Sequence, residues 1–261
     1  MARKLVVVAT AGFAVAIAAA LVALSLGGPR YGFSGFNFPA FSIQGIRIDG
    51  STVNLSLPSG ASCSDPGSNA TIVTRHLAWS DTSDKVSLSL AADASWAPRA
   101  GNDVIITGPS AALDRIKIDG NDIKSDCWGG GDSKITITLP GRVFQSYEMN
   151  GVGSLHLKGL NQPELDLDVE GAASVDASGV VPQTHVTVAG AASVNLTDLV
   201  TQSLAADLSG ASKVVANPAQ SADVDISGIG QVSLLTRPKN YHENISGLGH
   251  VSMPGQAATD E

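Results

Sequence analysis

Six times between residues 149 and 253 the chain writes nearly the same phrase around a glycine. The phrases are MNGVGSLHL at Gly151, VEGAASVDA at Gly171, VAGAASVNL at Gly190, LSGASKVVA at Gly210, ISGIGQVSL at Gly228 and ISGLGHVSM at Gly247. Successive glycines are 20, 19, 20, 18 and 19 residues apart. A fixed period of this length constrains the fold more than any single motif, because one unit cannot bury its apolar side alone and must stack on its neighbours. Two residues before each glycine stands Met149, Val169, Val188, Leu208, Ile226 or Ile245, and four after it stands Leu155, Val175, Val194, Val214, Val232 or Val251. All twelve are apolar.

A period near 19 fits either a leucine-rich repeat or a β-solenoid, and the interior of the unit separates them. Leucine-rich units need an LxxLxL core and a helical or turn-rich half. Here ELDLDVEG, THVTVAG and ADVDISG alternate apolar with polar at period two, as strands do. The sequence therefore predicts an all-β, single-stranded β-helix-like solenoid with coils of about 19 residues. Each glycine marks a corner between two short strands, and the small residues two places on (Gly153, Ala173, Ala192, Ser212, Gly230, Gly249) are expected to let coils stack closely. The phrase has architectural content and little chemistry.

Ahead of the repeats the chain reads in pieces. Residues 1–27 carry Arg3 and Lys4 and then an uncharged run from Leu5 to Leu26, long enough at about 1.5 Å per residue to span a ~30 Å hydrocarbon core as a signal or anchor helix. Small residues at Ala23 and Ser25 suit a signal peptide, with an uncleaved membrane anchor as the alternative. Either form exports the rest to the periplasm or cell envelope, and contact with the membrane is expected only through this segment. Residues 28–42 form an aromatic, Gly- and Pro-rich linker, RYGFSGFNFPAF, which reads as a tether, an edge cover or ordinary core aromatics. Residues 43–133 hold FSIQGIRIDGSTVNLSLPSG, DKVSLSLAADASW, NDVIITGP and LDRIKIDGNDIKSD, strands bounded by turn residues without the strict period. The repeat solenoid occupies 134–254, and 255–261 is a polar tail.

Two cysteines, Cys63 and Cys127, would share a compartment in which a disulfide persists. Two unrelated thiols are the alternative, and the absence of a CxxC or CxxH pair speaks against zinc. From residue 148 to the end there are 13 acidic and four basic residues, which excludes charge-driven binding of nucleic acid or anionic lipid.

The phrases DISGIGQVSLLTRP and NISGLGHVSM, with KITITLPGRVFQSYEMNGVGSLHLKGL, resemble the head GIN domain family, bacterial envelope domains described as autotransporter-adhesin heads. The resemblance is strong over about 134–254 and looser from Ser42 to Cys127. The family phrase is close to hydrophobic-Ser-Gly-Ser-Gly-Asp-Val; here Ala or Ile often replaces the second Ser, and Ser, Lys, Gln or His the Asp. The resemblance implies a β-solenoid in the envelope and carries no catalytic residue with it.

Chemical motifs are few. DCWGGGDSK at 126–134 lacks the GxxxxGK[ST] order of a phosphate loop, and His76, His156, His185, His242 and His250 form no HExxH pattern. No GxSxG elbow is present. Calcium nonapeptide coils would place Asp five residues after each first glycine, where this chain has His156, Asp176, Asn195, Val215, Ser233 and Ser252. No cofactor or metal motif emerges. One further column, three residues before each glycine, reads Glu148, Asp168, Thr187, Asp207, Asp225 and Asn244. Stacked at about 4.8 Å, its carboxylates either raise one another's pKa, recruit a cation, or form a solvated acidic face.

Two functions follow from these readings. The first is a non-enzymatic exported solenoid that binds an envelope protein or glycan in adhesion or scaffolding. The alternative is a polysaccharide lyase or hydrolase using Asp166, Asp168, Asp223 and Asp225, although Tyr241 is the sole aromatic from residue 148 onward to stack on sugar. The exported reading has a direct check: Cys63 and Cys127 close a loop worth about 4 kcal/mol in the chain-entropy account, and non-reducing peptide mass spectrometry of protein from the periplasm should recover them linked. Two freely alkylated thiols would refute the bridge.

Overall fold

The computed structural model describes residues 71–98, 101–126 and 134–255, and the backbone of 46–48 and 51–53. The chain divides into two units, Met1–Ser59 and Gly60–Glu261. In the first, β1 (Ile46–Ile48) and β2 (Ser51–Val53) form an antiparallel pair. Cys63, Cys127 and residues 1–42, expected from the sequence to hold a signal or anchor helix and a linker, lie outside the described residues. Among the described residues no helix is long and apolar enough to cross a membrane.

The second unit begins with β3 (Ile72–Ala78), β4 (Lys85–Ser89), β5 (Ala91–Trp96), β6 (Asp103–Pro109), a one-turn helix α1 (Ser110–Leu113), β7 (Ile116–Asp119), β8 (Asp122–Ser125) and β9 (Thr136–Thr138). The repeats then supply β10 (Ser146–Met149), β11 (Val152–Asn161), β12 (Glu164–Val169), β13 (Ala172–Val180), β14 (Gln183–Val188) and β15 (Ala191–Leu208). After these come β16 (Ala211–Ala216), β17 (Pro218–Ile226), β18 (Ile229–Leu234), β19 (Asn240–Ile245) and β20 (Leu248–Ser252). The strands build two parallel ladders that meet at the corners. The strands before each corner pair in the order β4, β10, β12, β14, β15, β17, β19. Those after it pair in the order β5, β11, β13, β15, β16, β18, β20. The expected solenoid is present, with five turns between Gly151 and Gly247.

Beside the corners the strands hold one register because most of them alternate an inward apolar residue with an outward one, so a slip of one residue would turn the core out to water. Irregularities fall farther from the corners, between Leu157 and Leu160, Asp176 and Ser178, and Thr201 and Ser203. Met149 stands opposite Val169, Val169 opposite Val188, and so on through Leu208 and Ile226 to Ile245. Eleven of the twelve apolar positions named from the sequence are at most 2% exposed. The twelfth, Ile245 on the last coil, is 38% exposed because no described coil covers it. Each buried Val or Leu contributes roughly 1.5–3 kcal/mol, so the core is a sum of small equal increments along the stack.

The corner glycines are required for close approach and not for an unusual backbone angle, since none of the six has a positive φ. A Cβ on Gly171, Gly190, Gly210, Gly228 or Gly247 would overlap the carbonyl oxygen of the preceding corner glycine. That carbonyl accepts a hydrogen bond from the residue after the glycine above: Ala191 N–H to Gly171 O, Ala211 to Gly190, Ile229 to Gly210 and Leu248 to Gly228, each at 2.9 Å. The small residues two places on act differently from the sequence expectation. Ala173, Ala192 and Ser212 turn into the core, and a Cβ on Gly230 or Gly249 would strike the side chain of Ile226, not the backbone of the next coil. They leave room for the inward side chain two residues before the corner. At Gly153, by contrast, a Cβ would meet the Ala92 carbonyl.

A seventh coil escaped the glycine alignment. β4 and β5 lie beneath β10 and β11 in register, with Leu90, 4% exposed, standing at the corner. It is the Leu90 carbonyl that a Cβ on Gly151 would overlap. This end of the stack is closed by a change of pairing. β8 and β9 run parallel to β4 and β5, then β7 pairs antiparallel with β8, β6 with β9, and β3 with β6. Aromatic side chains fill this end: Trp79 meets Phe144 edge-on at 5.6 Å, and Phe144 meets Tyr147 at 5.9 Å.

Replacing Gly190 or Gly210 with Val should lower stability by more than about 2 kcal/mol, because the clash is with backbone that neighbouring hydrogen bonds fix. Val at Ser193, exposed on a strand, should change it by less than about 0.5 kcal/mol. Equal denaturation midpoints for the three variants would contradict the close-approach role.

Candidate functional site

The outward residues of the first ladder form two columns. Nearest the corner run Asp122, Ser87, Glu148, Asp168, Thr187, Asp207, Asp225 and Asn244, in register as expected and extended downward by two residues. Two residues earlier on each strand run Lys85, Ser146, Asp166, His185, Ala205, Asp223 and His242. Carboxylates meet carboxylates at Glu148–Asp168 and Asp207–Asp225.

The column does not act as one continuous anionic strip, because polar neighbours divide it. Lys85 Nζ lies 2.6 Å from Glu148 Oε2, and Asn150 Nδ2 donates to Glu148 Oε1 at 2.8 Å. The bonds from Lys85 and Asn150 hold the Glu148 carboxyl below the ordinary range despite partial burial. His185 bridges two coils, with Nε2 3.0 Å from Asp207 Oδ2 and Nδ1 3.7 Å from Asp166 Oδ1. Asn244 Nδ2 donates to Asp225 Oδ1 at 2.8 Å. Asp168 is the exception. Burial, followed by the charges of Glu170, Glu148 and Asp166, raises its pKa. Among the described residues no three or more His, Cys, Asp or Glu side chains are grouped to hold a metal ion.

The four carboxylates considered for glycan cleavage fall into two separate pairs. Asp166 and Asp168 share β12, while Asp223 and Asp225 share β17, three strand steps or about 14 Å away. The pairs are too far apart to flank one glycosidic bond, for which about 5–9.5 Å is required. Within β12, Asp166 and Asp168 are about 7 Å apart on one face. Tyr241 lies on the last coil, bonded through its hydroxyl to Glu243, and its pKa is raised by burial and by that partner.

The second ladder carries a constellation that the repeat alignment did not bring out. Ser154, His156 and Asp176 share one face, and His156 Nδ1 lies 3.2 Å from Asp176 Oδ2. These are the residue types of a hydrolytic triad, but Ser154 Oγ donates to Asp93 Oδ1 at 2.7 Å. Lys134 Nζ, 2.8 Å away, also engages Asp93. Burial raises the Asp93 pKa, but the bonds from Lys134 and Ser154 outweigh it and leave the carboxyl below the ordinary range. Asn195 Nδ2 donates to Asp176 at 3.1 Å. The serine is thus committed to a carboxylate that Lys134 also holds, while His156 pairs with Asp176, so the three residues are not wired as a serine–histidine–acid relay. Of the remaining histidines, His76 is on β3, and His242 and His250 are on the last coil.

The ladders and their mutually bonded outward columns define an all-β solenoid domain. Residues 84–238, more than half of the chain, match the family described as "Putative auto-transporter adhesin, head GIN domain", and the chain belongs to that family. Among solved structures it is similar to a "putative adhesin" of Bacteroides fragilis NCTC 9343, at 18% identity and a TM-score of 0.57, over 73% of this chain and all of that one. A "putative lipid binding protein" of Parabacteroides distasonis ATCC 8503 aligns at 15% identity and a TM-score of 0.42, over 71% of this chain and 97% of that one. A "putative adhesin" of Parabacteroides merdae ATCC 43184 aligns at 13% and 0.36, with the same two coverages. At these identities the first neighbour attests the fold alone. No curated protein matches the chain.

The two perturbed carboxyls give opposite pH signatures. Asp168 has a raised pKa in the folded state, so its ionised form disfavours folding above that value and ceases to do so below the unfolded value near 3.9. D168N should therefore raise the melting temperature at pH 7, with the gain fading toward pH 3. Glu148 has a lowered pKa, so its contribution is present above the unfolded value near 4.3 and is lost as pH falls through the folded one. E148Q should lower the melting temperature at pH 7, by less at pH 3. Parallel shifts at both pH values would show that neither charge is responsible.

Proposed function

We propose that this is an exported, non-enzymatic β-solenoid that works in the cell envelope as an adhesion, scaffold or partner-binding surface. The observation that carries the reading is the state of the outward polar groups. Glu148, Asp207, Asp225, Asp93 and Asp176 each have a neighbouring side chain as partner, so the two faces are rigid arrays and not poised reactive centres. Membership in a family described as adhesin heads supports the same reading. A stiff stack spends no ordering entropy when a partner binds its side, which suits an extended contact surface. Export follows from residues 1–27, and the partner is an envelope protein or glycan.

Polysaccharide cleavage is retained as a second reading on one observation. Asp168, whose pKa is raised by burial and by the carboxylates around it, stands two residues from Asp166 on the same face, at a separation of about 7 Å that would fit a pair of carboxyls about one glycosidic bond. Against it, the aromatic side chains described nearest this pair, Trp79, Phe144 and Tyr147, are buried in the core and present no ring on the outward face for a sugar to stack on.

Both readings meet in one experiment. An alkaline-phosphatase fusion after Glu261 should be active outside the cytoplasm, and the domain from Gly28 onward should bind washed envelopes saturably without releasing reducing sugar or unsaturated uronate. Turnover on envelope polysaccharide that disappears in D168N would replace the binding reading with the enzymatic one. A cytosolic, inactive fusion would refute export.

A further inference from the structure

The two ends of the stack differ. At the first, antiparallel strands take up the edge; at the second, β19 pairs only with β17 and β20 only with β18 among the described strands. In parallel pairing alternate residues direct their N–H and C=O groups to opposite sides, so half of those on the last coil point off the end. Apolar surface accompanies them: Leu248 is 76% exposed, and Ile245 is exposed in a column buried in every earlier repeat.

The sign of the charge also changes here. Residues 148–236 hold ten carboxylates against Lys158 and Lys213, whereas 237–255 hold Arg237 and Lys239 against Glu243 alone, with exposed His242 and His250. Glu243 occupies an inward position, opposite fully buried Val224, and already accepts the Tyr241 hydroxyl. The Arg237 guanidinium lies beside Gly255, just past the end of β20: a Cβ on that glycine would be 3.7 Å from Nη1. A second copy meeting this coil about a two-fold axis would bring two ends of net positive charge together, Arg237 and Lys239 outnumbering Glu243 on each, which disfavours self-pairing. A strand with carboxylates on it meets cations instead.

We propose that the open edge of the last coil, β19 with β20, binds an extended, carboxylate-bearing segment of another polypeptide as an added strand beside Arg237, Lys239 and His250. The main chain supplies the hydrogen bonds, Ile245 and Leu248 the apolar contact, His250 a polar contact, and Arg237 and Lys239 the selectivity for sign. This rests on reading the domain as a binding scaffold and locates one binding surface on it.

The test uses the full chain and two soluble nine-residue peptides, one alternating valine with glutamate and the other valine with lysine. Hydrogen exchange of residues 240–253 should slow about fivefold or more with the glutamate peptide and less than about twofold with the lysine peptide. The exposed double variant R237E/K239E should reverse the preference while exchange at 164–226 stays unchanged. Equal protection by both peptides, or none, overturns the proposal. So does protection already present without peptide, whether released by removing residues 256–261, which assigns the edge to the chain's own segment, or by dilution, which assigns it to a second copy. Envelope binding that persists in a chain indifferent to the peptides would sink this inference and leave the scaffold reading standing.

Discussion

Everything in this domain depends on how closely one corner sits on the next. The carbonyl of each corner glycine, from Gly171 to Gly228, receives the N–H of the residue following the glycine above, and a Cβ at that glycine would occupy the oxygen's place. With glycine, consecutive coils rise at strand spacing through the bend itself, so both ladders keep a common register across it. Any side chain there would pry the coils apart at the corner. The inward Val and Leu columns on both sides would then lose contact together, because packing depends on separations of a few tenths of an ångström.

That constraint explains which parts of the fold the sequence displays. A glycine is needed only where a coil lies beneath, so the six stacked repeats announce themselves and the first coil, with Leu90 at its corner, does not. The twelve apolar positions are equally visible, since they follow from period two on each side of a bend, and only Ile245 departs, with no described coil above it. The antiparallel closure by β3, β6 and β9 is not legible: its strands look like any others, and their partners are set by a chain reversal that no period records. The site follows the same division. Which carboxylates share a column can be read by aligning glycines, but the diagonal reach of His185 to Asp207 and the bond from Ser154 to Asp93, 61 residues away, depend on side-chain direction.

Polar partners on the outward columns solve a problem that stacking creates. Repetition brings identical positions to about 4.8 Å, and a carboxylate at every repeat would place like charges in line up the face. The chain varies that position, with Thr187 and Asn244 in the column and Lys85 and His185 beside it, so that Glu148, Asp207 and Asp225 each gain a donor. Asp168 retains the strain that such variation removes elsewhere, through Glu148, Asp166 and Glu170 around it. Variation from repeat to repeat is therefore found in this column, where exact repetition would be electrostatically costly, while the corner and the inward columns, where it is favourable, are kept.

A stack of this kind also has to end, and each end is a different answer to an exposed edge. Closing the first with antiparallel strands uses β3, ahead of the first coil, and β6 to β9, between it and the repeats, and the aromatic cluster of Trp79, Phe144 and Tyr147 gathers where these strands meet the first of the repeats. The last coil is closed by chemistry instead. Glu243, at a position held by an apolar residue in every coil below, makes continuation of the core unfavourable, since another coil would bury its carboxylate against a single Tyr241 hydroxyl. An inward charge is an established guard against edge-to-edge growth. It disfavours unlimited stacking of like upon like while leaving the outer backbone edge of β19 and β20 unpaired among the described strands, so the same residue that limits the solenoid narrows what can be added to it to strands unlike its own.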